Sequence, residues 1–274
     1  MTMKKALSIW CFPGGTTIEQ AMKQAKAAGF DGIELAVGEG GELTPETPLD
    51  QVKRFRDLAG RIGIEISSFA SGLGWKYQLT SADPQVAERA REIHRRGVAM
   101  AAALGADVLL SVPGAVNETV SYAEAWDRSV AAYRELAPAA EKAGVVIGIE
   151  NVWNKFLLSP LEMVRIIDEI DRPFIQCYFD AGNVLVFGYP QHWIRSVGSR
   201  IRKVHIKDFK LDIGNIRGFT TLLNGSVPWP EVMKALREIG YDDYLVAEVG
   251  PPNPAFPNHL IEETSAAMTK ILSI

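Results

Sequence analysis

The sequence is short of most features that would place it outside an ordinary soluble enzyme class. It has two cysteines, Cys11 and Cys177, too far apart to suggest a disulfide framework, and each falls in a predicted strand as a buried thiol. That usage fits a reducing, cytoplasmic setting. No basic-then-apolar leader is read at the start, where residues 1–5 pass straight into a short strand. No apolar run approaches the ~20 residues that span a bilayer, so no membrane is expected. An excess of positive charge is also missing: the formal net charge is −4, which argues against nucleic acid as a partner. Histidine is scarce, with four in 274 residues. The first strand leads into Phe12-Pro13-Gly14-Gly15, which lacks the GxGxxG spacing of a dinucleotide loop.

What is present is alternation. Eight short apolar runs recur along the chain: Ala6–Phe12, Gly32–Val37, Glu65–Ala70, Asp107–Val112, Val145–Glu150, Phe174–Asp180, Lys203–Phe209 and Tyr244–Val249. Their length and their Ile, Val, Leu and Phe content predict strands buried on both faces. Amphipathic stretches separate them: Thr17–Ala28, Leu49–Ile62, Pro84–Leu104, Tyr122–Ala143, Ser159–Ile170, Gln191–Val197, Pro230–Ile239 and His259–Leu272. Stop and start signals agree, with Gly29, Gly105, Gly144 and Gly240 after helices, Ser159-Pro160 at a helix start, and Ser121 with Glu124 as a capping box. Strand and helix in eightfold alternation predict a closed parallel (β/α)8 barrel, about 250 residues in size, rather than an open doubly wound sheet. No linker interrupts it, so residues 1–274 are expected to form one domain. The longest irregular segment is Leu211–Pro228, and a loop of that length in a compact domain is usually functional.

In such a barrel, chemistry sits at the C-terminal ends of the strands. The fifth run ends at Glu150, the sixth at Asp180, the seventh carries His205, and the eighth ends on Glu248. Alternation lets His205 point inward while Val204 and Ile206 pack outward. Singly, each carboxylate could cap a helix or pair with an arginine, and one histidine could be a hydrogen-bonded core residue. Together, three carboxylates buried without a cation would raise one another's pKa at a cost that a divalent ion removes. The set is hard and mostly oxygen, suited to Mn²⁺, Mg²⁺ or Co²⁺, with Zn²⁺ also acceptable.

These stretches carry a resemblance. Gly29-Phe30-Asp31-Gly32-Ile33-Glu34, Ile149-Glu150-Asn151, Phe179-Asp180-Ala181-Gly182-Asn183, Val204-His205-Ile206-Lys207-Asp208 and Trp229 through Glu248 follow in the order seen in the xylose-isomerase-like barrels. That superfamily includes ketose 3-epimerases, sugar-phosphate epimerases and isomerases, and endonuclease IV. The resemblance spans the whole chain and implies one divalent ion, Mn²⁺ first, on Glu150, Asp180, His205 and Glu248. It further implies that Glu150 and Glu248 form an acid/base pair. One removes the C3 proton of a ketose, giving a metal-bound cis-enediolate, and the other returns a proton to the opposite face. Two departures stand out: Asn183 replaces a histidine found in many free-ketose enzymes, and the segment 151–157 lacks their second glutamate. The Asp-x-Gly-Asn form is more similar to the branch acting on ketose phosphates.

Around this set, Asn183, Lys207, Glu34, Trp153, Arg217 and Lys155 are candidate substrate contacts. Lys207 shares the face of His205 and meets either substrate oxygens or a carboxylate. Glu34 either supports the site or binds a hydroxyl. Trp10, Phe12, Trp75 and Trp153 offer aromatic walls for a sugar, or simple packing under loops. Lys155 and Arg217 lie in loops, where they meet a phosphate or carboxylate or stay solvated. The loop Gly250-Pro251-Pro252-Asn253-Pro254 is stiffened by proline at the mouth, and His94, His192 and His259 are read as structural or surface residues.

The expected activity is therefore that of a sugar or sugar-phosphate epimerase or isomerase, acting on a ketose phosphate, keto-uronate or neutral ketose. A metal-dependent lyase acting on a keto-inositol shares the proton abstraction. An endonuclease IV-like nuclease would need several more histidines, and a non-catalytic sugar-binding barrel would not need two glutamates. Homodimers or homotetramers are expected, through the outer helices.

Overall fold

The computed structural model describes residues 3–250, 252–253 and 255–274. Eight parallel strands close into a barrel. In chain order they are β1 (Lys4–Ser8), β2 (Gly32–Val37), β3 (Glu65–Ser71), β4 (Val108–Ser111), β5 (Val146–Glu150), β6 (Ile175–Asp180), β7 (Ile201–Ile206) and, after a small excursion, β10 (Tyr244–Ala247). β1 closes the ring by pairing with β10 on one side and β2 on the other. The helices are α1 (Ile18–Ala27), α2 (Leu49–Ile62), α3 (Pro84–Leu104), α4 (Tyr122–Ala143), α5 (Pro160–Ile170), α6 (Pro190–Val197), α7 (Trp229–Glu238) and α8 (Pro257–Leu272). None of them is long and apolar enough to cross a membrane.

The predicted boundaries hold within a few residues except at three strand ends. The first strand stops at Ser8, because its hydroxyl accepts from the Trp10 amide and turns Ile9–Cys11 into a 3-10 helix, so Cys11 lies in that turn rather than in a strand. The seventh run does not continue to Phe209: after β7 the chain makes a short strand, β8 (Asp208–Phe209), paired antiparallel with β9 (Phe219–Thr220). The eighth strand ends before Glu248. Helix signals are realised as hydrogen bonds, including reciprocal capping boxes at Thr17/Gln20, Ser121/Glu124 and Ser159/Glu162.

Alternation along the strands separates two environments. Cys177 and Phe179 pack into the large core between sheet and helices, while Tyr178 between them packs with Ala70, Val108, Leu110 and Val146. On β7 the outward set is Val204 and Ile206, leaving Lys203, His205 and then Lys207 on the inner face. Lys203 lies at the N-terminal end of the barrel, almost wholly buried, with Nζ 2.6 Å from Asp243 and 3.2 Å from Asp107. His94, on α3, spends Nδ1 on the Ala90 carbonyl and Nε2 on Ser111, which also meets Tyr133. It is a buried structural group, as expected, and His192 and His259 are exposed.

Gly148 faces inward on β5, where a Cβ would sit 2.9 Å from Tyr178 Cβ and 3.2 Å from Val108 Cγ1. Gly148→Ala is expected to cost about 1–3 kcal/mol through overpacking. A lower urea midpoint with unchanged slope is the outcome to look for, and an unchanged midpoint refutes the contact.

Candidate active site

Parallel register brings the expected residues to one end of the barrel. Asp180 pairs with His205 across β6 and β7, His205 with Val246 across β7 and β10, and Glu150 with Tyr178 across β5 and β6. Glu248 sits just past β10, where its amide donates to the Ile206 carbonyl. One ligand atom from each of Glu150, Asp180, His205 and Glu248 lies within 4.8 Å of all the others. Two ligands that bind one ion at about 2.0–2.4 Å are separated by at most twice that, so the spacing fits a single ion.

The imidazole shows the same fit. Its Nδ1 lies 3.2 Å from Glu248, 3.3 Å from Glu150 and 3.9 Å from Asp180. Its Nε2 lies 2.9 Å from Glu34 Oε1. With Nε2–H donating to Glu34, the Nδ1 lone pair faces three carboxylates, an arrangement that a cation between them would make favourable. Asp180 Oδ2 is buried without a well-directed hydrogen bond, its charge met from one side by the Lys207 ammonium at 3.1 Å. One ammonium and one imidazole do not balance four carboxylates in a desolvated interior, and a divalent ion would.

Glu34 on β2 is therefore a support for His205. It is fully buried, and its other oxygen accepts from Tyr178 at 2.7 Å and Ser68 at 2.9 Å. Tyr178 and Ser68 were not anticipated, and their signal was only an inward position on β6 and β3. Asn151 was quoted in a motif but given no role. Its side chain clamps Asp180, accepting from the Asp180 amide and donating to the Asp180 carbonyl, both at 2.8 Å. Asn183 completes the clamp: its amide donates to Asp180 Oδ1 and its side-chain nitrogen donates to the Asn151 carbonyl. The Asn183 side chain also lines the cleft, with one donor already committed.

Lys207 stands on the inner face as expected, its ammonium 2.7 Å from Glu248 and 3.1 Å from Asp180. The charges push the two glutamates apart. Burial drives the Glu150 carboxyl up to about 7, against the pull of His205 and Lys207. Burial acts on Glu248 in the same direction, but Lys207 and His205 overcome it and hold this carboxyl well below the usual range. Asp180 is raised by burial. For His205 burial favours the neutral ring, yet Glu34, Glu150 and Glu248 together raise it well above its ordinary value.

Above the cluster lies a cleft of about 320 Å³, lined by Trp10, Trp75 and Trp153 among others. Trp153 is fixed by a 2.8 Å bond from Nε1 to the Asn183 carbonyl and by ring contacts with Phe187, Phe209 and Phe219. Phe12, by contrast, is buried in the core and lines no cavity described. Lys155 and Arg217 are exposed, and neither borders this cleft among the described residues. The long loop is built rather than loose: Asp208 accepts from the amides of Phe209 and Val227 and from Trp229 Nε1, and the Gly225 backbone packs against its carboxylate. The expected proline stiffening after Glu248 falls partly on Pro251 and Pro254, which lie outside the described residues.

Three outcomes follow for a divalent ion. Added Mn²⁺ at about a hundredfold its dissociation constant is expected to stabilise the protein by about 2.7 kcal/mol, a melting rise of several degrees that a chelator reverses. Glu150 must lose its proton to act as a ligand, so affinity should climb as pH rises through about 7 and fall below it. Calorimetric titration across pH checks the sign. Glu34→Gln should weaken the metal about 10–100-fold by loosening His205. Unaltered affinity would remove Glu34 from the site.

A sequence model of the xylose isomerase-like TIM barrel family matches residues 22–271. A 2-epi-5-epi-valiolone 7-phosphate 2-epimerase of Actinoplanes sp. is 27% identical over 252 residues, covering 86% of this chain and 86% of that protein. An L-ribulose 3-epimerase of Mesorhizobium japonicum is 27% identical over 265 residues, covering 93% of this chain and 80% of the relative. The solved structure of an L-ribulose 3-epimerase superposes with a TM-score of 0.83 at 20% identity, covering 99% of this chain and 95% of the other. The relatives bear epimerase names, in keeping with the expected isomerase class, and the chain belongs to the xylose isomerase-like TIM barrel family.

Proposed function

We propose that this protein is a divalent-metal-dependent epimerase or isomerase of a ketose or ketose derivative. The observation that carries the reading is the pair Glu150 and Glu248, which flank one imidazole nitrogen while their environments push their proton affinities in opposite directions. Two carboxyls so divided suit one acid and one base. Glu150, Asp180, His205 and Glu248 would hold the ion, Mn²⁺ or in its place Mg²⁺, Co²⁺ or Zn²⁺, which when bound polarises a sugar carbonyl and acidifies the proton beside it.

The chain's own groups do the rest. Glu248 is held ionised by Lys207 and takes the C3 proton, leaving a cis-enediolate. Glu150, on the other side of the imidazole nitrogen, takes up a proton from solvent and delivers it to the opposite face, inverting C3. Reversing the roles runs the reaction backward. Lys207 also places a positive charge where enediolate oxygen develops negative charge. Trp153 and Asn183 shape one side of the cleft and fix the sugar's plane over the carboxylates.

The test is deuterium incorporation. With Mn²⁺ saturating, ketoses and ketose phosphates in D₂O should acquire deuterium at C3, seen by NMR. Glu150→Gln and Glu248→Gln should each lower exchange about 10²–10⁴-fold, with metal occupancy checked by thermal shift. Exchange that survives in both metal-loaded variants would falsify the assignment. Deuterium at C1 or C2 would make the chain an aldose–ketose isomerase, and loss of water from a keto-inositol would make it a lyase.

A further inference from the structure

We infer that Cys11 is a positioning residue for Glu248: its thiol replaces a backbone bond that the barrel fails to supply there, and so fixes where that carboxylate stands over the site. The inference rests on the role proposed for Glu248 and adds the group that holds it.

Of the four residues that converge on the site, Glu248 is the one outside a strand. Glu150 and Asp180 end β5 and β6, and His205 lies within β7, whereas β10 stops at Ala247. Asp180 is also clamped by Asn151 and Asn183. The Glu248 side chain is 26% exposed, so packing restrains it less than it restrains the others, and its place depends on its backbone. On the β7 side the Glu248 amide donates to the Ile206 carbonyl at 3.1 Å.

On the β1 side the ladder breaks. β1 and β10 pair in register from Lys4 with Tyr244 to Leu7 with Ala247, which would set Ser8 opposite Glu248. In a parallel ladder a residue so placed accepts at its carbonyl from the amide one residue beyond its partner, here Val249. The pairing stops short of that step, because the chain turns at Ser8 into the 3-10 helix Ile9–Cys11. The turn brings Cys11 back against the same position. The Val249 amide donates to Cys11 Sγ at 3.2 Å, and the thiol donates to the Ala247 carbonyl at 3.4 Å. One sulfur thus bridges the residues on either side of Glu248. Cys11 is fully buried, and burial pushes its thiol up to about 12, so the S–H remains a donor and adds no charge beside the carboxylates. Without the sulfur, the amide of the buried Val249 loses this acceptor, and the Glu248 peptide is held from the β7 side alone.

Amide exchange, Mn²⁺ titration and deuterium wash-in test this on the whole chain. In the wild-type protein the Val249 amide, although outside any strand, should exchange with solvent as slowly as the Leu245 amide in β10. In Cys11→Ala, which removes both bonds, it should exchange about tenfold faster or more, while Leu245 keeps its rate. Calorimetric Mn²⁺ affinity should fall about tenfold in the same variant. With Mn²⁺ and ketose saturating, deuterium incorporation at C3 should fall about tenfold and KM should stay within about twofold, because a reacting group is displaced while sugar binding is kept. Cys11→Ser keeps a donor and an acceptor in place and should recover most of each loss. If Cys11→Ala does not fold, Cys11→Val, which fills the space without an acceptor, takes its place. Fast exchange of Val249 in the wild type, unaltered Mn²⁺ affinity in the folded variant, or a Cys11→Ser protein as impaired as Cys11→Ala overturns the inference. The proposed reaction fails on a different result, no deuterium in any ketose with the wild-type protein, and the exchange and Mn²⁺ measurements then still decide the role of Cys11.

Discussion

Four carboxylates converge on one imidazole inside a barrel, and much of the upper barrel is arranged around that fact. Glu34 binds one nitrogen of His205, while Glu150, Asp180 and Glu248 surround the other. Like charges brought this close in a desolvated interior repel strongly, so their neighbours are chosen to counter it. Lys207 neutralises part of the excess from the mouth, Tyr178 and Ser68 donate to Glu34 from below, and Asn151 and Asn183 hold Asp180 in place through its backbone and one oxygen. Four carboxylates against one ammonium and one imidazole still leave a negative pocket, which a cation would balance.

The two glutamates show how one fold separates like residues. Glu150 ends a strand and is almost wholly buried at the floor of the cleft, so its proton is hard to remove. Glu248 lies one residue past its strand, more open and directly against Lys207, and its proton is easily lost. A shift of one residue relative to the strand end thus changes the solvent, the neighbouring cation and the proton affinity. Gly182 permits the arrangement: a Cβ there would fall 2.7 Å from the Lys207 backbone oxygen, so any larger residue would displace the strand end that carries the lysine.

Much of the barrel was legible in the sequence because parallel strands buried on both faces announce themselves as apolar runs, and helix caps as Ser, Gly and Pro at fixed offsets. The cluster was legible for a related reason: in a parallel barrel the strand ends share one rim, so Glu150, Asp180, His205 and Glu248 could be placed together from position alone. The supporting groups were not. Tyr178 reads as an ordinary strand aromatic until β2 and β6 are seen to face each other across the barrel, and no local pattern encodes a contact between residues 144 apart. Loop residues were hardest. Lys155 and Arg217 had the right charge for a substrate contact, but their direction depends on backbone turns, and Lys155 sits at a φ of 59°. Phe12 failed as a wall because β1 ends early and turns it into the core.

The inner face of β7 runs from Lys203 through His205 to Lys207, and its first residue has a consequence for traffic. Lys203, a buried ammonium reaching out to the more exposed Asp107 and Asp243, fills the N-terminal end of the barrel. The cleft over Glu150 and Glu248 opens at the opposite, tryptophan-lined rim, so whatever reaches these carboxylates comes from that side.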